Sequence, residues 1–133
     1  MPDEIDWDML RRNAISVAAH AYAPYSGLRV GASGVTADGR VVTGCNVENV
    51  SYGLSLCAEC AVVCALHVTG ANQSRRLVAL SCADAGGKLL MPCGRCRQLL
   101  IEHGGPALLI DHPAGARPLS ALLPDAFGPD ALP

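Results

Sequence analysis

Residues 57–70, CAECAVVCALHVTG, are apolar on nearly every face of a helix. A helix without a polar side has nothing to offer water, so other elements must cover most of its circumference. That requirement calls for a layered fold enclosing the segment, with Gly70 as its C-terminal stop. A second buried helix is predicted for CGRCRQLLIEHG from residue 93, with Pro92 suited to its first turn. Both helices open on Cys-x-x-Cys.

The remaining elements supply the cover. Trp7, Leu10, Ala14, Val17 and Ala21 share one helical face, Asp6 is placed to cap the start, and Pro24 stops the helix soon after. Residues 28–36 and 40–46 read as two strands joined through Asp38-Gly39, a pair suited to a tight hairpin. Strands are also expected at 77–83, 88–91 and 107–111, whereas the Pro-, Ala- and Gly-rich tail from Pro113 gets no definite structure and could depend on a partner surface. The order α, β, β, α, β, β, α, β predicts helices over a mixed sheet of about five strands, in one domain spanning 1–133.

Half of the 133 residues are hydrophobic and 17% are charged, with a net charge of −2. That is a globular composition with no electrostatic footprint for nucleic acid. The acidic start, MPDEIDWDML, lacks the basic head and apolar stretch of an export signal, and no run approaches the roughly 18 apolar residues of a membrane span. A cytoplasmic protein with no membrane partner is expected. Seven cysteines, an odd number without an export signal, then read as free, buried or metal-bound.

Helix N-termini carry unpaired N–H groups and the positive dipole end, which favour the thiolate a metal requires. Two such ends could converge on one ion. Taken literally, Cys57, Cys60, Cys93 and Cys96 would make a closed structural zinc site. Zinc ribbons, however, space their pairs by about 15–20 residues on loops, and here residues 61–92 intervene and each pair opens a buried helix. A closed site also leaves Glu59 without a purpose in a segment nearly free of charge, where a bare carboxylate is costly. The alternative takes only Cys57, Cys93 and Cys96 as ligands, with water in the fourth position and Glu59 beside it.

These residues resemble the small, tetrameric, zinc-dependent cytidine deaminases. The likeness rests on YAPYSGLRVGA (22–32), GCNVENVSYGLSLCAE (44–59), PCGRCRQ (92–98) and LLPDAFG (122–128), which follow the family's order. It implies a three-layer α-β-α sandwich, one Zn²⁺ per subunit on Cys57, Cys93 and Cys96, and a homotetramer with shared active sites. It further implies that free cytidine and deoxycytidine are deaminated, Glu59 moving protons between water, the adjacent ring nitrogen and the departing amine. Asn46 and Glu48 would hold the ribose hydroxyls, and the Ala58 N–H the pyrimidine carbonyl. Tyr52 would lie at the site edge or interface, and Phe127 would stack on the base from a neighbouring subunit. A deaminase of another small aminonucleoside is the nearest alternative.

Two positions depart from the family pattern. Three thiolates and one Zn²⁺ sum to −1. Relatives often place an arginine after the catalytic glutamate to offset that charge, and here Cys60 stands there, while Arg95 occupies a position where relatives commonly have alanine. Arg95 is therefore expected to supply the offset from the other helix. Leu28 stands where relatives often carry a phenylalanine bordering the pyrimidine, so the site stays apolar but loses a stacking face. His20, His67, His103 and His112 read as ordinary helix-end or surface residues, and Cys45, Cys64 and Cys82 as small core residues.

Overall fold

In the computed structural model, which describes residues 4–68 and 72–133, a five-stranded sheet of order β2-β1-β3-β4-β5 separates α1 from α2 and α3. The strands are β1 Val30–Thr36, β2 Val41–Cys45, β3 Leu77–Asp84, β4 Leu109–Ile110 and β5 Arg117–Pro118. The helices are α1 Trp7–Ala18, α2 Ala58–Leu66, α3 Gly94–Gly104 and the short α4 Leu119–Leu122. The β1–β2, β1–β3 and β4–β5 pairs are antiparallel and β3–β4 is parallel, α3 lying in the crossover that a parallel pair needs. This is the expected α-β-α sandwich on a mixed sheet.

Small residues set how closely the layers approach. A Cβ on Gly31 would fall 1.9 Å from the Ala14 carbonyl oxygen of α1, and one on Gly44 would fall 2.6 Å from Ala61 Cβ of α2. Because side chains alternate across a strand, Gly31 opens the sheet to α1 and its neighbour Ala32 packs with Val62 on the opposite face. Leu66, Leu77, Leu80, Leu100, Leu108, Ile110 and Leu119 belong to the same core. On the α1 face a buried polar group ties the layers. Arg11 donates to both Asp111 oxygens at 2.7 and 2.8 Å, and Ser81 Oγ donates to Asp111 at 2.7 Å.

Several boundaries differ from expectation. Asp6 does cap α1, accepting from the Met9 N–H at 3.0 Å, but the helix ends at Ala18, well before Pro24. There His20 and Ala21 N–H bond to the carbonyls of Val17 and Ala18, tightening the last turn. The α2 helix stops at Leu66 in the same manner, and the expected stop at Gly70 lies outside the described residues. Residues 88–91 are not a full strand. They make one bridge, Ala83 to Leu89, on the part of the β3 edge that β4 leaves open, and Pro92 lacks the N–H to extend it. Pro92 itself precedes the Cys93 N-cap of α3 instead of entering the first turn. The fifth strand comes from the tail, where β5 pairs with β4 and Leu119 of α4 is buried.

Candidate active site

The N-termini of α2 and α3 meet. Cys57 is the N-cap of α2, Cys93 is the N-cap of α3 and Cys96 lies three residues on. Their three Sγ atoms lie within 4.8 Å of one another, Cys57 and Cys93 at 3.9 Å. Sulfurs held at about 2.3 Å around a tetrahedral Zn²⁺ stand about 3.8 Å apart, so the donor set fits that ion with little movement. Cys60, despite the same spacing from Cys57, is outside the cluster; its sulfur accepts from Arg95 Nη2 at 3.4 Å. The closed four-cysteine arrangement is not what α2 and α3 build.

Glu59 follows at the second position of α2, turned inward and only 4% exposed. Burial pushes its carboxyl above the ordinary value, partly countered by its own backbone N–H and by the thiols of Cys82 and Cys96. A carboxyl held nearer neutrality is better matched to taking up and returning a proton. Burial also raises the Cys57 and Cys96 thiols, and the charges of Cys93 and Glu59 on Cys57, and of Glu59 and Cys57 on Cys96, add to it. For Cys93 burial acts upward too, but the Cys96 N–H, the neighbouring thiols and the Arg95 N–H outweigh it and leave the value lowered. Each negative charge makes the next dearer, and a dication among them reverses that sign.

A cavity of about 310 Å³ opens onto this group, and Leu28, Asn46, Glu48, Cys57, Ala58, Glu59 and Cys93 are among the residues lining it. Asn46 and Glu48 face it together, as their i, i+2 spacing predicts. Both also hold the loop that forms the rim. The Val30 N–H donates to Asn46 Oδ1 at 2.8 Å and Asn46 Nδ2 donates to the Leu28 carbonyl at 2.9 Å. Glu48 accepts from the N–H groups of Tyr25 and Ser26, at 3.0 and 3.1 Å, and from the Ser26 hydroxyl. An amide has two donors and two acceptor sites, so Asn46 keeps one of each for a ligand. Ala58 begins α2, where first-turn N–H groups have no intrahelical partner.

The outlying candidates separate. Tyr52 is 76% exposed on an adjoining hollow shared with Tyr25, Ser26, Glu48 and Ser55. Phe127 does not line the cavity; it is 63% exposed, anchored through its carbonyl to Gln98 Nε2 at 2.7 Å. Arg95 crosses from α3 to α2 and also donates to the Ser55 carbonyl at 3.3 Å. Cys60 first, then the fields of Cys57 and Cys96, raise its guanidinium further. Six cavity residues escaped the sequence reading, Val30, Ser55, Leu56, Cys82, Leu90 and Met91, and two of them stand out. Cys82, taken as core, is buried but lies against Glu59, and Met91 reaches the cavity from the 88–91 segment. LVALSCA is apolar on both faces, so alternation alone could not say which side of β3 Cys82 takes. Cys64 was also expected in the core and is exposed, because α2 meets the sheet and α3 on its other sides.

Three thiols gathered at two helix starts fit a zinc ion, with a buried glutamate beside them, against a mixed sheet. The family profile described as "Cytidine and deoxycytidylate deaminase zinc-binding region" matches residues 6–110, and the chain belongs to that family. It is 68% identical to the cytidine deaminase of Mycobacterium tuberculosis over 133 residues, covering 100% of this chain and 97% of that one. The crystal structure of the M. tuberculosis enzyme matches with a TM-score of 0.89 at 67% identity, covering 94% of this chain and 99% of that one. The cytidine deaminase from Mycobacterium leprae matches with a TM-score of 0.86 at 53% identity, over 92% and 100% of the two chains.

Proposed function

We propose that this chain, as one deaminase domain, catalyses the hydrolysis of cytidine and 2′-deoxycytidine to uridine and 2′-deoxyuridine with release of ammonia, a step of pyrimidine salvage. The observation that carries the proposal is Glu59, buried beside three clustered thiols on a cavity of nucleoside size. Cys57, Cys93 and Cys96 would hold Zn²⁺, which supplies Lewis acidity and lowers the pKa of water to near 7. Glu59 takes the proton of the attacking water, passes it to the ring nitrogen next to the amine-bearing carbon, and serves the departing amine. Asn46 and Glu48 bind the ribose hydroxyls through the positions their loop bonds leave open, and the Ala58 N–H binds the ring carbonyl oxygen. Leu28, with Val30, Leu56 and Met91, gives the base an apolar enclosure.

The finer features belong to the same proposal. Leu28, on the cavity, is 49% exposed, and Tyr52, Val50, Leu54 and Phe127 add further exposed apolar surface. Neighbouring subunits of a homotetramer would cover it, Phe127 entering a partner's site and Tyr52 bordering one. Arg95 offsets the excess charge of the thiolates by its field. All seven cysteines are free thiols, which suits a reducing cytoplasm. The test is a zinc-loaded preparation incubated with cytidine while loss of the cytosine absorbance is followed. Glu59→Gln should retain zinc and lose about a hundredfold or more in turnover. A parent protein that fails to turn over cytidine defeats the proposal.

A further inference from the structure

The same two helices also meet at their other ends. His67 is the C-cap of α2 and His103 sits in the last turn of α3, and their Nε2 atoms are 3.1 Å apart. His103 Nδ1 lies 3.1 Å from the Leu99 carbonyl, a partner that can only accept, so the proton of that ring belongs on Nδ1 and its Nε2 carries a free lone pair. A ring nitrogen fixed in this way by a backbone carbonyl is the arrangement metal-ligating histidines use. The rings meet edge to face, centroids 5.2 Å apart, so the pair is not a stack.

We propose that His67 and His103 form a second cation site, for a borderline transition-metal ion such as Zn²⁺, Ni²⁺ or Cu²⁺, separate from the thiol cluster. Two imidazoles on one ion at about 2.0–2.1 Å place their nitrogens about 3.3–3.4 Å apart at a tetrahedral angle and about 2.8–3.0 Å apart at a right angle. The observed 3.1 Å falls between these. Binding needs no net loss of a proton: His67 carries its hydrogen on Nδ1 in place of Nε2, and both Nε2 lone pairs then meet the ion. Water completes the shell, since among the described residues no third His, Cys, Asp or Glu ligand atom joins the pair. The field favours a cation as well, because two helix C-termini, each with a partial negative charge of about half an electron, converge there. Along α3 the nearest cation is Arg97, six residues away and about 9 Å of helix rise, while the Arg76 guanidinium, just before β3, reaches Gly105 past the helix end and offsets part of that field. An ion here ties α2 to α3 at the ends opposite the thiols.

The experiment uses the zinc-loaded protein, its tightly held zinc first counted by elemental analysis, and titrates it with NiCl₂ in a calorimeter and in thermal melts. One further ion per chain and a rise in Tm are expected for the parent. His67→Gln and His103→Gln should each weaken Ni²⁺ binding by about tenfold or more and abolish the rise, while their tightly held zinc and their turnover of cytidine stay at parental levels. Absence of a second ion in the parent, or equal binding in either variant, overturns the site. Because the thiol-held zinc is counted separately, neither result bears on the deaminase proposal.

Discussion

Two cysteines at the same place in equivalent motifs have different fates. Cys60 and Cys96 both follow an N-cap cysteine by three residues, yet only Cys96 turns toward the cluster, because on α2 the inward direction is taken by Glu59. Cys57→Ser should therefore lose zinc, and Cys60→Ser should keep it, as elemental analysis of the purified variants will show. Equal loss would restore the four-cysteine reading. The Arg95 guanidinium bonds to Cys60 and the Ser55 carbonyl and reaches the clustered sulfurs only through its field, while its backbone N–H meets Cys93. Arg95→Ala should reduce turnover or zinc affinity by about tenfold, against no change for the exposed Arg12→Ala, and equal behaviour of the two would leave Arg95 as a surface residue.

At the level of elements, the position of the site depends on how closely α2 lies on β2. Gly44 is the contact point, since an added Cβ would sit 2.6 Å from Ala61 Cβ and 2.8 Å from both the Ala58 carbonyl and the Val62 N. Two of those three atoms are backbone, so the helix must lift. Gly44→Ala should cost about 1–3 kcal/mol in denaturant unfolding. It should also lower kcat/KM, because Cys57 and Glu59 move with α2. Gly39→Ala, where a Cβ has open space, carries only the strain of its φ of +87° and should lose stability without the loss of activity. If Gly44→Ala loses only stability, the link between helix seat and site is broken.

For the molecule as a whole, the rim loop shapes the cavity, and the proposed subunit assembly would complete it. The Ser26 hydroxyl and N–H, followed by the Tyr25 N–H, hold the Glu48 carboxyl below its usual range. A carboxylate with a depressed folded pKa stabilises the fold above its unfolded value of about 4.3, and that contribution disappears as pH falls through the folded value. The melting temperatures of the parent and Glu48→Gln should therefore differ at pH 6 and converge as pH drops below about 4. A constant gap would mean that the ionised form is not what matters. Assembly has a sharper test. If Phe127 serves a partner's site, mixing inactive Glu59→Gln with weak Phe127→Ala should yield hybrids more active than the average of the two. Activity that merely averages would place Phe127 in the service of its own subunit.

The helix starts and the isolated glutamate were legible in the sequence because each depends on local chemistry, an N-cap or a charge with no polar neighbours. Spacing alone, by contrast, offered four cysteines, and only the packing of α2 on α3 brought Cys57, Cys93 and Cys96 together. Helix ends were less legible than starts, since the last turns of α1 and α2 close through bonds that no stop residue announces. The fifth strand was misplaced because pairing is a contest between segments far apart in the chain. Residues 88–91 and 117–118 carry no local mark of which completes the sheet, and only the open edge beside β4 decided it. Cys82 shows the same division. Its type and its strand could be read directly, but its place against Glu59 was fixed by the face that β3 turns to α2, and facing is a property of packed layers.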